Sequence, residues 1–86
     1  MSDINSKLQK AIDKANNVFK ENYCSFFAEI SLSSNIVYIN IEWGDWKHEH
    51  GYADYIMKCN GFSKINERII EEDGSDCYSS IHYYTL

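Results

Sequence analysis

IVYINIEWGDWKHEHGYAD, residues 36–54, is the stretch on which the rest of the chain is read. Its first half alternates, with Val37, Ile39, Ile41 and Trp43 on one side and Tyr38, Asn40 and Glu42 on the other. That two-residue period is the mark of a half-buried strand. It also fixes the register, because a slip of one residue would turn the whole apolar set to solvent. Gly44-Asp45 then offers a turn and Gly51 closes it. From Tyr52 to Cys59 alternation resumes, with Ala53, Tyr55 and Met57 facing one way and Asp54 and Lys58 the other. Read so, the stretch is a hairpin whose tip gathers Trp46, His48 and His50.

Upstream, Leu8, Ala11, Ile12, Ala15, Val18 and Phe19 recur at helical spacing, so residues 4–21 are expected to form an amphipathic helix. Ser2, Asp3 or Asn5 can cap its first turn. Gln9, Asp13, Asn16 and Asn17 lie opposite the apolar stripe, and Lys7, Lys10 and Lys14 beside it form a solvated face. Residues 24–32 alternate, with Phe26, Ala28, Ile30 and Leu32 inward, and Ser33-Ser34-Asn35 turns that strand into the next.

Downstream, Asn60-Gly61 breaks the third strand. Residues 62–72 are expected to be helical, with Phe62, Ile65 and Ile69 on one stripe and Gly74 just past the end. Cys77–Leu86, rich in β-branched and aromatic residues, makes a last strand. The expected order is α-β-β-β-α-β. This is an α+β fold, a single domain of residues 1–86 with two helices packed on one face of a four-stranded antiparallel sheet.

Eighty-six residues suffice for one domain with a thin core. The net charge is −5, and it is unevenly spread: residues 1–20 carry Lys7, Lys10, Lys14 and Lys20 against Asp3 and Asp13, whereas the remainder is strongly acidic. An acidic body does not suit nucleic-acid phosphates or an anionic membrane; it suits basic partners or solubility. Cys24, Cys59 and Cys77 form no CxxC, so neither a zinc ribbon nor a redox dithiol is indicated. MSDINSKLQK lacks the apolar core of a signal peptide, and no apolar run is long enough to span a membrane. A cytoplasmic chain with reduced thiols is expected, a Cys59–Cys77 bridge being the one alternative pairing considered.

No phosphate-binding loop, dinucleotide fingerprint or nucleophile elbow is present, and Ser79-Ser80 lacks the flanking glycines of the last. His48 and His50, two apart with Asp45 nearby, would share a face on a strand and could begin a metal site completed by His82, Cys59 or Cys77. Glu71, Glu72 and Asp73 fall in the last turn of the expected second helix, where carboxylates oppose the helix dipole, Glu67 is a like charge one turn before Glu71, and Asp76 follows. Residues that work against local structure often mark a functional surface. Trp46, Tyr52, Tyr78, Tyr83 and Tyr84 exceed what a thin core can bury, and they are interleaved with Asp45, Glu49, Asp54 and Asp76.

The expectation is therefore a small acidic binding protein, not an enzyme and without a cofactor. It would occlude a basic, nucleic-acid-binding surface of a partner by phosphate mimicry, as inhibitors of phages and mobile elements, immunity proteins and antitoxins of this size and sign do. The partner would be a basic protein such as a nucleic-acid-processing enzyme or effector complex, with no direct contact to nucleic acid or membrane. The contact residues would be Asp45, Trp46, Glu49, Asp54, Glu67, Glu71, Glu72, Asp73, Asp76 and Tyr78. One alternative is a homodimer assembled through an edge strand and surface tyrosines. Another is metal binding through His48 and His50.

Overall fold

Leu8, Ile12, Ala15 and Phe19 step along one face of a helix, and in the computed structural model, which describes residues 3–31 and 34–86, they are buried on α1, Asp3–Glu21. The capping residues Ser2, Asp3 and Asn5, and Leu32 and Ser33, lie outside what the structure describes at the level of side chains or backbone. At its C-terminus α1 closes with two backbone bonds, Tyr23 N–H to the Lys20 carbonyl (3.1 Å) and Cys24 N–H to the Phe19 carbonyl (2.9 Å). This closure needs a left-handed residue, usually glycine. Here it is Tyr23, at φ 57°.

β1 (Ala28–Ile30) pairs antiparallel with β2 (Val37–Asp45). Asn16, expected to face solvent, instead reaches the edge of β1, donating from Nδ2 to the Ala28 carbonyl (3.0 Å) and accepting from the Ala28 N–H at Oδ1 (2.7 Å). It thereby satisfies backbone groups that an edge strand leaves open. Val37, Ile39 and Ile41 are fully buried on β2, as their alternation requires. Trp43 is not: the register shifts between Ile41 and Gly44, Trp43 sits at φ 50°, and its side chain is 45% exposed. An extra residue in a ladder turns the following side chains out of phase, which is how the bulge removes Trp43 from the core.

The two segments after β2 exchange their expected roles. Residues 46–50 form a wide turn of π-helix that runs directly into α2, Gly51–Cys59. Asp45 caps this turn, its Oδ1 accepting from the N–H groups of Lys47 and His48 (both 2.8 Å). The buried positions are Ala53, Ile56 and Met57, a helical spacing, while Tyr55 is exposed. Alternation of Ala53, Tyr55 and Met57 thus gave the wrong period. α2 ends in the same two-bond closure as α1, with Gly61 at φ 89° in the left-handed position.

Residues 63–72, expected to be helical, form the long strand β3, Ser63–Glu72. They face Cys77–Thr85, β4, across a four-residue loop in which Gly74 takes φ 87° and Asp73 accepts from the Ser75 N–H (3.0 Å). Asp-Gly between β-branched runs is a hairpin signal, and it prevails here over the helical spacing of Phe62, Ile65 and Ile69. The element order is therefore α-β-β-α-β-β, and the sheet order is β1-β2-β4-β3, all antiparallel. The class holds: α+β, with two helices on a four-stranded sheet. The last strand is central, and β3 is an edge carrying exposed Ile65, Ile69 and Ile70. The core joins α1, β1, β2, α2, Phe62 and Tyr84. Among the described residues no helix is long and apolar enough to cross a membrane. Cys24, Cys59 and Cys77 are all unpaired thiols.

Candidate functional site

The inner face of β4 alternates Ser80, His82 and Tyr84, three residues with polar groups that are nonetheless buried. They lie opposite Ile41, Ile39 and Val37 on one side, and Ile69, Glu67 and Lys64 of β3 on the other. On α2 and the turn before it, His50 and Asp54 are four residues apart and so lie on one helix face. The antiparallel register thus brings four elements together around His82.

His82 has no exposed surface and His50 only 2%. His50 Nδ1 lies 2.7 Å from His82 Nε2, and the Ser80 hydroxyl lies 3.2 Å and 3.0 Å from the same two atoms. His50 Nε2 faces the Tyr78 carbonyl at 2.9 Å. A carbonyl only accepts, so Nε2 carries a proton and Nδ1 of a neutral His50 is a lone pair. The other side of His82 is different. Its Nδ1 is buried without a hydrogen-bond partner, 3.3 Å from Asp54 Oδ1 and 3.4 Å from Glu67 Oε1. The Lys64 ammonium closes the group, 2.9 Å from Asp54 Oδ2 and 2.5 Å from Glu67 Oε1. Tyr84 donates its hydroxyl to Asp54 Oδ1 (2.5 Å), and Tyr78 stacks on His50 with ring centroids 3.9 Å apart.

The electrostatics follow from this crowding. Burial alone would raise the Asp54 carboxyl, but His82, Tyr84 and Lys64 outweigh it and hold Asp54 well below the usual carboxylate range. Glu67 is lowered in the same way, with Lys64 and His82 overcoming desolvation. Lys64 is raised, because its two carboxylates more than offset its own burial. Burial and the nearby carboxylates push the Tyr78 phenol to about 12, and raise Tyr84 further.

A second gathering lies at the end of the sheet where β2 runs out and β3 turns into β4. Asp45 pairs with Cys77 and Glu72 with Tyr78, so these two acids flank the start of β4, with Asp73 and Asp76 in the loop between. The Trp46 N–H donates to the Asp76 carbonyl (3.0 Å), and Trp46 itself is 64% exposed. Glu49 folds back over Gly44, where an added Cβ would collide with the Glu49 carboxylate. Its charge also raises the half-buried Cys24 thiol, after desolvation, which places the end of α1 near this turn.

Of the ten expected contact residues, the structure sends Asp54 and Glu67 into the buried network and uses Tyr78 to cover it. Asp45, Trp46, Glu49, Glu71, Glu72, Asp73 and Asp76 gather toward the sheet end. Glu71, Glu72 and Asp73 end a strand rather than a helix, so the helix dipole has no part in their placement. His48 and His50 share no face: His48 is exposed and His50 buried. The sequence reading offered His82 only as one of three residues that could complete a His48–His50 site, and it missed Lys64, Ser80 and Tyr84 as members of the group. The available signals were a polar inward stripe at two-residue spacing on the last strand and His50–Asp54 at helical spacing. Comparison with protein-family models, curated proteins and solved structures returns no match.

Proposed function

We propose that this protein is a small acidic binding protein that docks through the loop end of its sheet onto a basic surface of a partner. The observation that carries this reading is backbone strain. Among the described residues, the two non-glycine residues at positive φ, Tyr23 and Trp43, are both exposed aromatics. A left-handed conformation costs an ordinary residue about 1–2 kcal/mol, and glycine would make the same helix closure and the same bulge without that cost. Trp43 is held in place from below, its N–H donating to the buried Ser79 hydroxyl (2.9 Å). Two residues on stand Asp45 and exposed Trp46, and across β4 lie Glu71, Glu72, Asp73 and Asp76. Rigid aromatics give contact area at little entropic cost, and surrounding carboxylates steer a cationic partner.

The partner class follows from charge: a nucleic-acid-processing protein whose basic groove accepts carboxylates in place of phosphates. Occlusion of that groove makes the protein an inhibitor rather than a catalyst. The test is binding kinetics against a basic partner captured from the native host, with duplex DNA or RNA as competitor. The association rate is expected to fall at least tenfold between low and physiological salt, and further in Glu71→Lys/Glu72→Lys/Asp73→Lys. Salt-independent association that survives the triple reversal would sink phosphate mimicry.

A further inference from the structure

The His50–His82 pair is buried and makes no direct contact at that docking surface, and it has an unusual proton count. His50 Nδ1 is a lone pair, fixed by the Nε2 bond to the Tyr78 carbonyl. His82 meets it with Nε2 at 2.7 Å, while its buried Nδ1 faces two carboxylates without bonding to either. If Nδ1 keeps its proton toward Asp54, two lone pairs point at one another and a positive species must lie between the rings.

We propose that this species is a divalent transition metal of the zinc class, held by His50, His82 and Glu67. One ligand atom from each of the three lies within 4.8 Å of the others. Two neutral imidazoles and one carboxylate are a zinc donor set that leaves a fourth position, beside which the Ser80 hydroxyl sits. The supporting shell is already in place. Metal-ligating histidines donate their outer N–H to a carbonyl or carboxylate; the Tyr78 carbonyl already faces His50 Nε2 so, and Asp54 Oδ1, 3.3 Å from His82 Nδ1, lies within reach to accept once that nitrogen is turned to it. Binding at His82 Nε2 fixes the proton on Nδ1, so the otherwise orphaned nitrogen gains a role as donor to Asp54. Around a tetrahedral zinc with bonds of about 2.0–2.1 Å, ligand atoms sit roughly 3.3 Å apart, so the rings must separate by about half an ångström from their 2.7 Å contact.

Lys64 is the competitor. Its ammonium bridges Asp54 and Glu67 and neutralises them when no metal is bound. On metal binding it must release Glu67, and it can keep Asp54. Asp54, Lys64 and Tyr84 also line a surface recess of about 240 Å³ beside the cluster.

The experiment is titration of untagged, metal-stripped protein with Co²⁺, followed by visible absorption, and with Zn²⁺, followed by calorimetry. Stoichiometric binding with the intense bands of tetrahedral Co²⁺ is expected. Glu67→Gln should weaken it about tenfold or more, and Lys64→Met should tighten it. His48→Ala, on the exposed part of the turn, should leave it unchanged. Folded wild-type protein that binds no metal, or binding lost in His48→Ala and kept in Glu67→Gln, overturns the proposal and leaves the pair bridged by a proton alone.

Discussion

Asp54→Ala tests whether the buried network holds the two layers together. Asp54 accepts from Tyr84, pairs with Lys64 and faces His82, and so joins α2 to β4 and β3. Its removal strands the Tyr84 hydroxyl, on a residue 1% exposed, and an unsatisfied buried donor costs about 1–3 kcal/mol. Loss of the Lys64 pair adds less, about 0.2–1 kcal/mol, because both partners remain about one-third exposed and water screens them. The total is about 1–4 kcal/mol, a fall in Tm of roughly 5–30 °C for a domain of this size. Urea denaturation followed by far-ultraviolet circular dichroism measures it. The sharper arm is the double variant Asp54→Ala/Tyr84→Phe. Removing the stranded hydroxyl should restore about 1 kcal/mol relative to the sum of the single changes. If Asp54→Ala costs no more than an ordinary surface substitution, or the two changes simply add, the network is not structural in the way described.

Tyr23→Gly should raise stability by about 1 kcal/mol, since glycine adopts φ 57° without strain and the tyrosine is 95% exposed, yet it should weaken partner binding. Thermal melting and binding measured on the same sample check both signs. On the acid side, Asp54 and Glu67 have folded-state values below their unfolded ones, so their stabilisation is present above about pH 4 and is lost as pH falls through the folded values. Asp54→Asn should flatten that acid limb. On the alkaline side, Tyr78 and Tyr84 are raised, so above about pH 10 the unfolded chain sheds protons that the native state keeps, and stability falls. Exposed phenols ionise without unfolding, so the check is the difference between wild type and Tyr84→Phe: the absorbance the variant lacks should appear only with unfolding, and its appearance in the still-folded wild type would refute the burial of Tyr84.

What the sequence shows about this fold depends on how many signals each segment carries. α1 and the first part of β2 each bury one face against the core, so a single period describes them. Residues 52–59 contain two apolar periods at once. Ala53, Tyr55 and Met57 alternate, while Ala53, Ile56 and Met57 step as a helix, and only tertiary burial separates the two. Residues 63–72 fail for the opposite reason. As an edge strand whose inner face carries Lys64 and Glu67, β3 buries almost nothing apolar, so its periodicity says little and the Asp73-Gly74 turn is the better guide. The site was hidden by the same two segments. With 44–51 read as a turn and 52–59 as a strand, Asp54 was set on the face opposite Ala53 and Met57 and nothing tied it to His50 in the turn; with 62–72 read as a helix, Glu67 and Lys64 had no reason to meet His82.

The two gatherings of polar residues also explain one another. His50 ends the π turn that carries Asp45 and Trp46, and it is tied to the Tyr78 carbonyl and His82 on β4. Tyr78 is the residue opposite Glu72, at the root of the acidic loop. The buried pair therefore pins the turn to the strand at the level where the exposed acids and tryptophans begin. A wide helical turn has weak hydrogen bonding of its own, and an acidic loop repels itself, so neither would hold a fixed shape alone. Anchoring both to one buried point lowers the ordering entropy that a docking surface must otherwise lose on association. On this reading the histidines serve the acidic end by fixing its shape.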